Sequence, residues 1–102
     1  MQEVCSVDDI GEGEMKGFEV GGEEVLVAKI EGEFYALGNV CTHQKCALSD
    51  GWLEERSVVC PCHSAKFDLA TGEVERPPAD EPEPTYEIET RDGKVLVDLS
   101  DV

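Results

Sequence analysis

Two short segments, 41–46 and 60–63, gather most of the metal-binding side chains of this sequence. They hold four of its five cysteines and both of its histidines. The first contains the pattern C-x-H and the second C-x-x-H, with sixteen residues between the two patterns. Alternate residues of an extended segment share a face, and Pro61 helps to fix the second segment as a tight turn. Two such loops facing each other could supply two thiolates and two imidazoles to one site.

Three interpretations of these motifs compete. The cysteines could be ordinary buried thiols and the histidines surface residues, although four ligand-type side chains in two compact loops argue against this. A structural Cys₂His₂ zinc site accepts the same donors, but zinc sites usually pair cysteine with cysteine and histidine with histidine. The third interpretation is a [2Fe–2S] cluster with both cysteines on one iron and both histidines on the other.

Charge and hydropathy exclude several classes of partner. The chain has 102 residues, 24 of them acidic and 8 basic, for a net charge of −16. Such a surface repels nucleic acid and anionic lipid and is attracted to a basic patch on another protein, although the acid could equally serve solubility or a high-salt habitat. The sequence shows neither a signal peptide nor an apolar run long enough to span a membrane. We therefore expect a soluble, cytoplasmic protein, with no nucleic-acid or membrane partner.

Short apolar segments separated by glycine turns predict an all-β domain. The run at 25–30 is almost continuously apolar, which is typical of a strand covered on both faces. The segment 73–84, rich in proline and acid, is predicted to be a loop. The predicted strands are 2–7, 17–20, 25–30, 33–37, 57–60, 85–90 and 94–99.

The two motifs also carry a resemblance to a known family. Cys41-Thr42-His43 and Cys60-Pro61-Cys62-His63 resemble the two cluster-binding loops of Rieske proteins. The resemblance extends over nearly the whole chain, through Val7-Asp8-Asp9-Ile10, Ser49-Asp50-Gly51, Phe67-Asp68, Thr71-Gly72-Glu73-Val74 and Pro77-Pro78-Ala79.

This resemblance implies a fold and a cofactor. The fold would be a Rieske-like antiparallel β-sandwich, one domain over residues 1–102, with a small cluster-binding subdomain formed by loops at about 41–48 and 60–67. One [2Fe–2S] cluster would be held there, with Cys41 and Cys60 on the inner iron and His43 and His63 on the outer iron.

Three kinds of residue near the motifs have structural interpretations. Trp52 and Leu53 are expected to pack beneath the cluster loops. Gly51 and Gly72 are expected to be turn residues that need special backbone angles.

Four further residues bear on the redox properties. Cys46 and Cys62 stand where high-potential members of the family carry a disulfide, so we expect them to lie close together. High-potential members also have a serine and a tyrosine where this chain has Ala65 and Phe67. The serine and tyrosine hydroxyls donate hydrogen bonds to the cluster region and so favour its reduced state. Their absence predicts a potential in the lower part of the range of roughly −150 to +300 mV.

The resemblance implies a function as well. Without a membrane anchor, the chain is similar to Rieske-type ferredoxins, which convert no substrate themselves. It would take single electrons from a flavin-dependent reductase and pass them to a terminal oxygenase, as a monomer. The alternative is a small Rieske subunit of a larger oxidoreductase such as nitrite reductase. A zinc-stapled interaction module is a third option.

Overall fold

Ten short β-strands form the protein in the computed structural model, which describes residues 2–40, 46–62, 64–76 and 81–98. Single 3₁₀ turns lie at Val7–Asp9 and Leu48–Asp50, and no α-helix occurs in these ranges. The strands are β1 Gln2–Ser6, β2 Met15–Val20, β3 Glu23–Ile30, β4 Glu33–Gly38, β5 Trp52–Glu54, β6 Ser57–Val59, β7 Lys66–Asp68, β8 Val74–Arg76, β9 Glu87–Arg91 and β10 Lys94–Asp98.

The strands make three antiparallel sheets. One contains β1, β10 and β9 in that order, the second contains β2, β3 and β4, and the third contains β5, β6, β7 and β8. In the third sheet, neighbouring strands follow one another in sequence, so tight turns suffice to connect them. The all-β prediction is confirmed, and the predicted strands at 17–20, 25–30 and 33–37 fall within β2, β3 and β4.

Strand β3 lies at the centre of the molecule. Leu26 and Ala28 pack in a core that they share with the third sheet. Val25 and Val27 point the other way, into a core shared with the first sheet. Since successive side chains of a strand alternate between its faces, the continuous apolar run of β3 fills both cores. The prediction that this strand is covered on both faces is confirmed.

The second motif begins at the inner edge of the third sheet. Cys60 directly follows β6 and belongs to the core between the second and third sheets, together with Val58 and Phe67. All three side chains are buried. The sheet therefore fixes the start of this motif against a packed apolar interior.

Some predicted boundaries were wrong. The predicted loop at 73–84 contains strand β8, which pairs with β7 across a bulge. Strands β5 and β7 were not predicted; each has three residues, too few to show a periodic pattern. Within the described ranges, no helix has the length and apolar character needed to cross a membrane.

Candidate metal centre

The loop that carries the first motif is closed at its base by Asn39. Its backbone carbonyl accepts a hydrogen bond from the Leu48 amide at 2.7 Å. Its side chain accepts from the Ser49 amide at 2.8 Å and donates to the Ser49 hydroxyl at 3.0 Å. An isolated bridge pairs Val40 with Ala47. Both ends of the loop are therefore held together immediately before Cys41 and after Cys46.

Sequence reasoning missed Asn39. Its side chain is buried, at 5% exposure, and a buried amide must be hydrogen-bonded to avoid a large desolvation cost. Gly17, on the neighbouring strand β2, makes room for it, because a Cβ at Gly17 would collide with the Asn39 amide and the Ser49 hydroxyl. The partners are ten and twenty-two positions away in the sequence, so no local pattern could reveal this arrangement.

The loop that carries the second motif is closed by a tight turn. The Cys60 amide donates to the Ala65 carbonyl at 2.8 Å, and the Ser64 amide donates to the Cys60 carbonyl at 3.0 Å. Ser64 has a φ of 61°, in the left-handed region that disfavours residues other than glycine. The Arg76 guanidinium donates to the Ser64 carbonyl at 3.3 Å. Strand β8 thus supports this strained position, which adjoins residue 63.

A disulfide joins the two loops. The structure pairs Cys46 with Cys62, and their Cα atoms are 6.5 Å apart. Of the cysteines that the structure describes, Cys5 and Cys60 are free. The pair expected to lie close together is therefore in contact. The bond holds the end of the first loop beside the start of the second, where a shared centre requires them.

Of the four predicted ligands, the structure describes Cys60. Its thiol is free and buried, with 1% of the residue exposed. Cys41, His43 and His63 lie outside the described residues, as do Pro77 and Pro78. The described part fits an iron–sulfur group, because a sheltered free thiol at the base of two joined loops is the kind of soft donor that such a group needs.

Apolar side chains line the floor beneath the two loops. Leu48, Ala65 and Phe67 are each fully buried and pack in the same core as Cys60. Neither Ala65 nor Phe67 carries a hydroxyl, so these two positions offer no side-chain hydrogen bond to a centre above them. The absence of these hydroxyls agrees with the low reduction potential predicted from the sequence. The potential itself stays a prediction.

The outer face of the third sheet carries a charged network. Glu54 accepts a hydrogen bond from the Trp52 indole at 2.9 Å and lies 3.5 Å from the Lys66 ammonium and 3.6 Å from the Arg76 guanidinium. The Trp52 hydrogen bond first, and then the two cations, lower the pKa of Glu54. Trp52 was expected to pack beneath the cluster loops; this was wrong, since it is 46% exposed.

Comparison with known proteins identifies the family. A family model described as the Rieske [2Fe-2S] domain matches residues 1–87. The chain belongs to this family. Its fold and its paired loops are thus those of a Rieske domain, and the cofactor is one [2Fe–2S] cluster.

Relatives of this Rieske domain are electron-transfer components. It is 39% identical to the ferredoxin component of the naphthalene 1,2-dioxygenase system of Pseudomonas putida, over 96% of this chain and 94% of the relative. It is 41% identical to the ferredoxin component of biphenyl 2,3-dioxygenase of Rhodococcus jostii, over 97% and 92%. Among solved structures it matches a chain in the complex of reduced oxygenase and oxidized ferredoxin in carbazole 1,9a-dioxygenase, with a TM-score of 0.88, 31% identity, and coverage of 94% and 99%. The prediction of an electron-transfer protein rather than an enzyme is confirmed.

Proposed function

We propose that this Rieske protein is a soluble, cytoplasmic, monomeric carrier of single electrons. It receives them from a flavin-dependent reductase and delivers them to a terminal oxygenase. The observation that carries the proposal is the pair of closed loops, joined by the Cys46–Cys62 disulfide over the buried free thiol of Cys60. The family membership adds the cofactor. The domain is proposed to span residues 1–102.

The proposed ligands are Cys41 and Cys60 for the inner iron and His43 and His63 for the outer iron. When bound, the [2Fe–2S] group supplies reversible one-electron chemistry. Two neutral imidazoles stand in place of two thiolates, so the donor set carries two fewer negative charges than four cysteines would. Less negative charge at the site makes the addition of an electron easier. With Cys41, Cys60, His43 and His63 all bound, the protein would supply the full donor set, which favours a carrier over a substrate-converting site.

The acidic surface is proposed to guide docking. A net charge of −16 attracts a partner with a basic patch, and such attraction raises the association rate more than the final affinity. Two sequence relatives are named as ferredoxin components of dioxygenases, and one of the matching solved structures is a complex of a ferredoxin with an oxygenase. We therefore propose a ring-hydroxylating oxygenase as the acceptor. Exposed charges are screened within about 8 Å at physiological salt, so the rate should fall as salt rises.

The ligand assignment is tested with a pair of serine variants. Cys60→Ser removes a proposed ligand, whereas Cys5→Ser removes the other free cysteine of the described residues, on strand β1. Iron and acid-labile sulfide are measured in each purified protein, together with the visible absorption before and after dithionite. We expect Cys5→Ser to keep the full cluster and Cys60→Ser to lose it. Equal cluster content in both variants would refute the assignment.

The carrier role is tested by rapid mixing. The dithionite-reduced protein is freed of excess reductant and mixed with an oxidised ring-hydroxylating oxygenase, and reoxidation is followed by visible absorption. We expect reoxidation in a single phase whose second-order rate falls with ionic strength. No electron transfer to such an oxygenase, or co-purification as a fixed subunit of a larger reductase, would contradict the proposal.

A further inference from the structure

Two exposed apolar side chains lie beside the two cluster-binding loops. Of the residues that the structure describes, the exposed large hydrophobic ones are Trp52, at 46%, and Val40, at 36%. Single exposed apolar side chains are ordinary on protein surfaces, so it is their position that matters. Val40 directly precedes Cys41 in the sequence. Trp52 pairs with Val59, the residue directly before Cys60.

Strand pairing holds Trp52 close to Cys60. Paired Cα atoms of antiparallel strands are about 4.5–5.5 Å apart, and successive Cα atoms are about 3.8 Å apart. The Cα atoms of Trp52 and Cys60 are therefore separated by at most about 10 Å. The indole N–H of Trp52 donates to the Glu54 carboxylate at 2.9 Å. Since its polar atom is satisfied, the exposed part of the ring offers an apolar surface.

The charges beside Trp52 differ from those of the chain as a whole, which has a net charge of −16. The Glu54 carboxylate lies 3.5 Å from the Lys66 ammonium and 3.6 Å from the Arg76 guanidinium. Val59 pairs with Lys66, and Lys66 pairs with Arg76, so both cations stand on the same face of the sheet as Trp52. Immediately beside the indole, two cations therefore share one carboxylate.

A groove of about 490 Å³ lies on the other side of Trp52, between strands β5 and β2. Each is an edge strand of its sheet. The lining includes the apolar side chains of Met15 and Leu53 and the charged residues Glu14 and Lys16. The region around the indole thus holds three of the eight basic residues of the chain but two of its 24 acidic ones. We call this region the Trp52 surface, and its residues are Trp52, Glu14, Met15, Lys16, Leu53, Glu54, Lys66 and Arg76.

Exposed carboxylates flank the Trp52 surface. Asp50 lies two residues before strand β5 and Glu55 directly after it, and both are exposed. A centre with little net charge that contains tryptophan and arginine, within a charged rim, is the usual composition of a protein–protein interface. Because this rim is acidic, the complementary surface has an apolar recess surrounded by basic residues.

We propose that the Trp52 surface is the docking site for the terminal oxygenase, with the indole of Trp52 as its central anchor. The inference rests on the proposed function, because the occupant is the proposed electron acceptor. The acidic rim fits the basic patch proposed for that acceptor, whereas it would repel the same rim on a second copy of this chain. Aromatic anchors at the centre of an interface contribute much of the binding energy, so loss of the indole should weaken binding about tenfold to hundredfold.

The test measures how electron transfer to a ring-hydroxylating oxygenase depends on oxygenase concentration. Rapid mixing with the reduced, cluster-loaded protein gives a dissociation constant and a limiting rate. We expect Trp52→Ala to raise the dissociation constant about tenfold to hundredfold, at low and at high salt, with an unchanged midpoint potential. The control is Phe34→Ala, which removes a partly buried aromatic ring of strand β4 that packs toward the first sheet. It should bind like the wild type.

The acidic rim is tested separately from the anchor. The double variant Asp50→Asn/Glu55→Gln should slow association at low salt and have little effect at high salt, because exposed charges act mainly on the association rate and are screened by ions. A rim effect that does not depend on salt would overturn the assignment of these two carboxylates to steering.

A second substitution at the anchor separates docking from folding. Val59 is fully buried although it lies on the outer face, opposite to the core residue Val58. The methylene stem of a lysine can cover Val59 as the indole does. Trp52→Lys should therefore keep the cluster and bind at least as weakly as Trp52→Ala, since its added positive charge faces a basic partner.

Four outcomes would contradict the inference. A dissociation constant that is unchanged in both Trp52 variants, or raised equally in Phe34→Ala, would overturn it alone. Loss of the cluster in both Trp52 variants would overturn it as well, because the role would then be structural. Self-association of the wild type that Trp52→Ala abolishes would assign the surface to a second copy instead. A wild type that passes no electrons to the oxygenase would overturn the proposed function too.

Discussion

Loss of the Cys46–Cys62 disulfide should lower the thermal stability of the protein substantially. The two residues are separated by 16 positions. For a loop of that length, the chain-entropy model gives a cross-link contribution of about 3 kcal/mol, which comes mainly from the restricted unfolded chain. In a domain of this size, 1 kcal/mol corresponds to a change of about 4–8 °C in melting temperature. The double variant Cys46→Ser/Cys62→Ser should therefore melt about 12–24 °C below the wild type.

The assay is circular dichroism of the cluster-loaded proteins, heated at one fixed rate in anaerobic buffer. The single variants Cys46→Ser and Cys62→Ser serve as controls, because each breaks the same bond. All three variants should melt at the same temperature. Because Cys62 is exposed, a phosphine should reduce the disulfide of the wild type and lower its melting temperature to that of the variants. A double variant that melts within about 4 °C of the wild type, or single variants whose effects add, would refute the reasoning.

Three other predictions concern the floor, the backbone and the pH dependence. Ala65→Ser and Phe67→Tyr should each raise the midpoint potential by about 20–60 mV in a redox titration. The reason is that the new hydroxyl adds a hydrogen bond of about 0.5–1.5 kcal/mol to the reduced state. An unchanged potential in both variants would contradict the placement of Ala65 and Phe67 beneath the cluster. Gly51→Ala should lower the free energy of unfolding by about 1–3 kcal/mol, because the new Cβ would collide with the Val59 carbonyl oxygen. The loss is measured as a lower melting temperature, and an unchanged melting temperature would contradict the prediction. The pKa of Tyr86 is raised above its ordinary value of 10.0, mainly by burial, so the unfolded chain ionises first and stability falls as pH rises above that value. In Tyr86→Phe, the melting temperature should fall less steeply with rising pH in this alkaline range than in the wild type. An unchanged pH dependence would assign the loss of stability to other groups.

Much of the sheet framework follows from local pattern. The apolar run of β3 predicts its burial on both faces, and the turn at Asp92-Gly93 predicts the final hairpin, in which Lys94 pairs with Arg91. A positive φ was also expected at Gly72 and is found there. These features depend on neighbouring residues, so the sequence displays them directly.

Other features depend on contacts between distant segments and were missed. Gly51 was expected to have special backbone angles, and its φ of −88° and ψ of −141° lie outside the helical and extended regions. The close approach of the Val59 carbonyl, which also favours glycine at this position, was not predicted. Strand β8 was predicted as loop because Val74–Arg76 is too short to show alternation and stands beside a proline-rich segment. The buried side chain of Glu83 gives no local signal either, since its surroundings come from β4 and the β7–β8 turn.

The meeting of the two loops could be predicted from the sequence motifs, but not from the amino-acid composition. Two Cys/His motifs and their spacing indicated which loops must meet, and the Cys46–Cys62 bond brings those loops together. The exposure of Trp52 was not predicted because strand β5 was not predicted. Neighbouring side chains of a strand point to opposite faces, and Leu53 is the one that packs against the core. Here the pairing of Trp52 with Val59 places it on the outer face of the sheet.

The most direct measurement of the central claim is pulsed EPR of the reduced protein carrying ¹⁵N-labelled histidine. The account predicts hyperfine couplings from two imidazole nitrogens on a paired-iron centre, with one coupling lost in His63→Cys and one in His43→Cys. A reduced protein without nitrogen coupling, or a colourless protein with one zinc ion per chain and no sulfide, would contradict it.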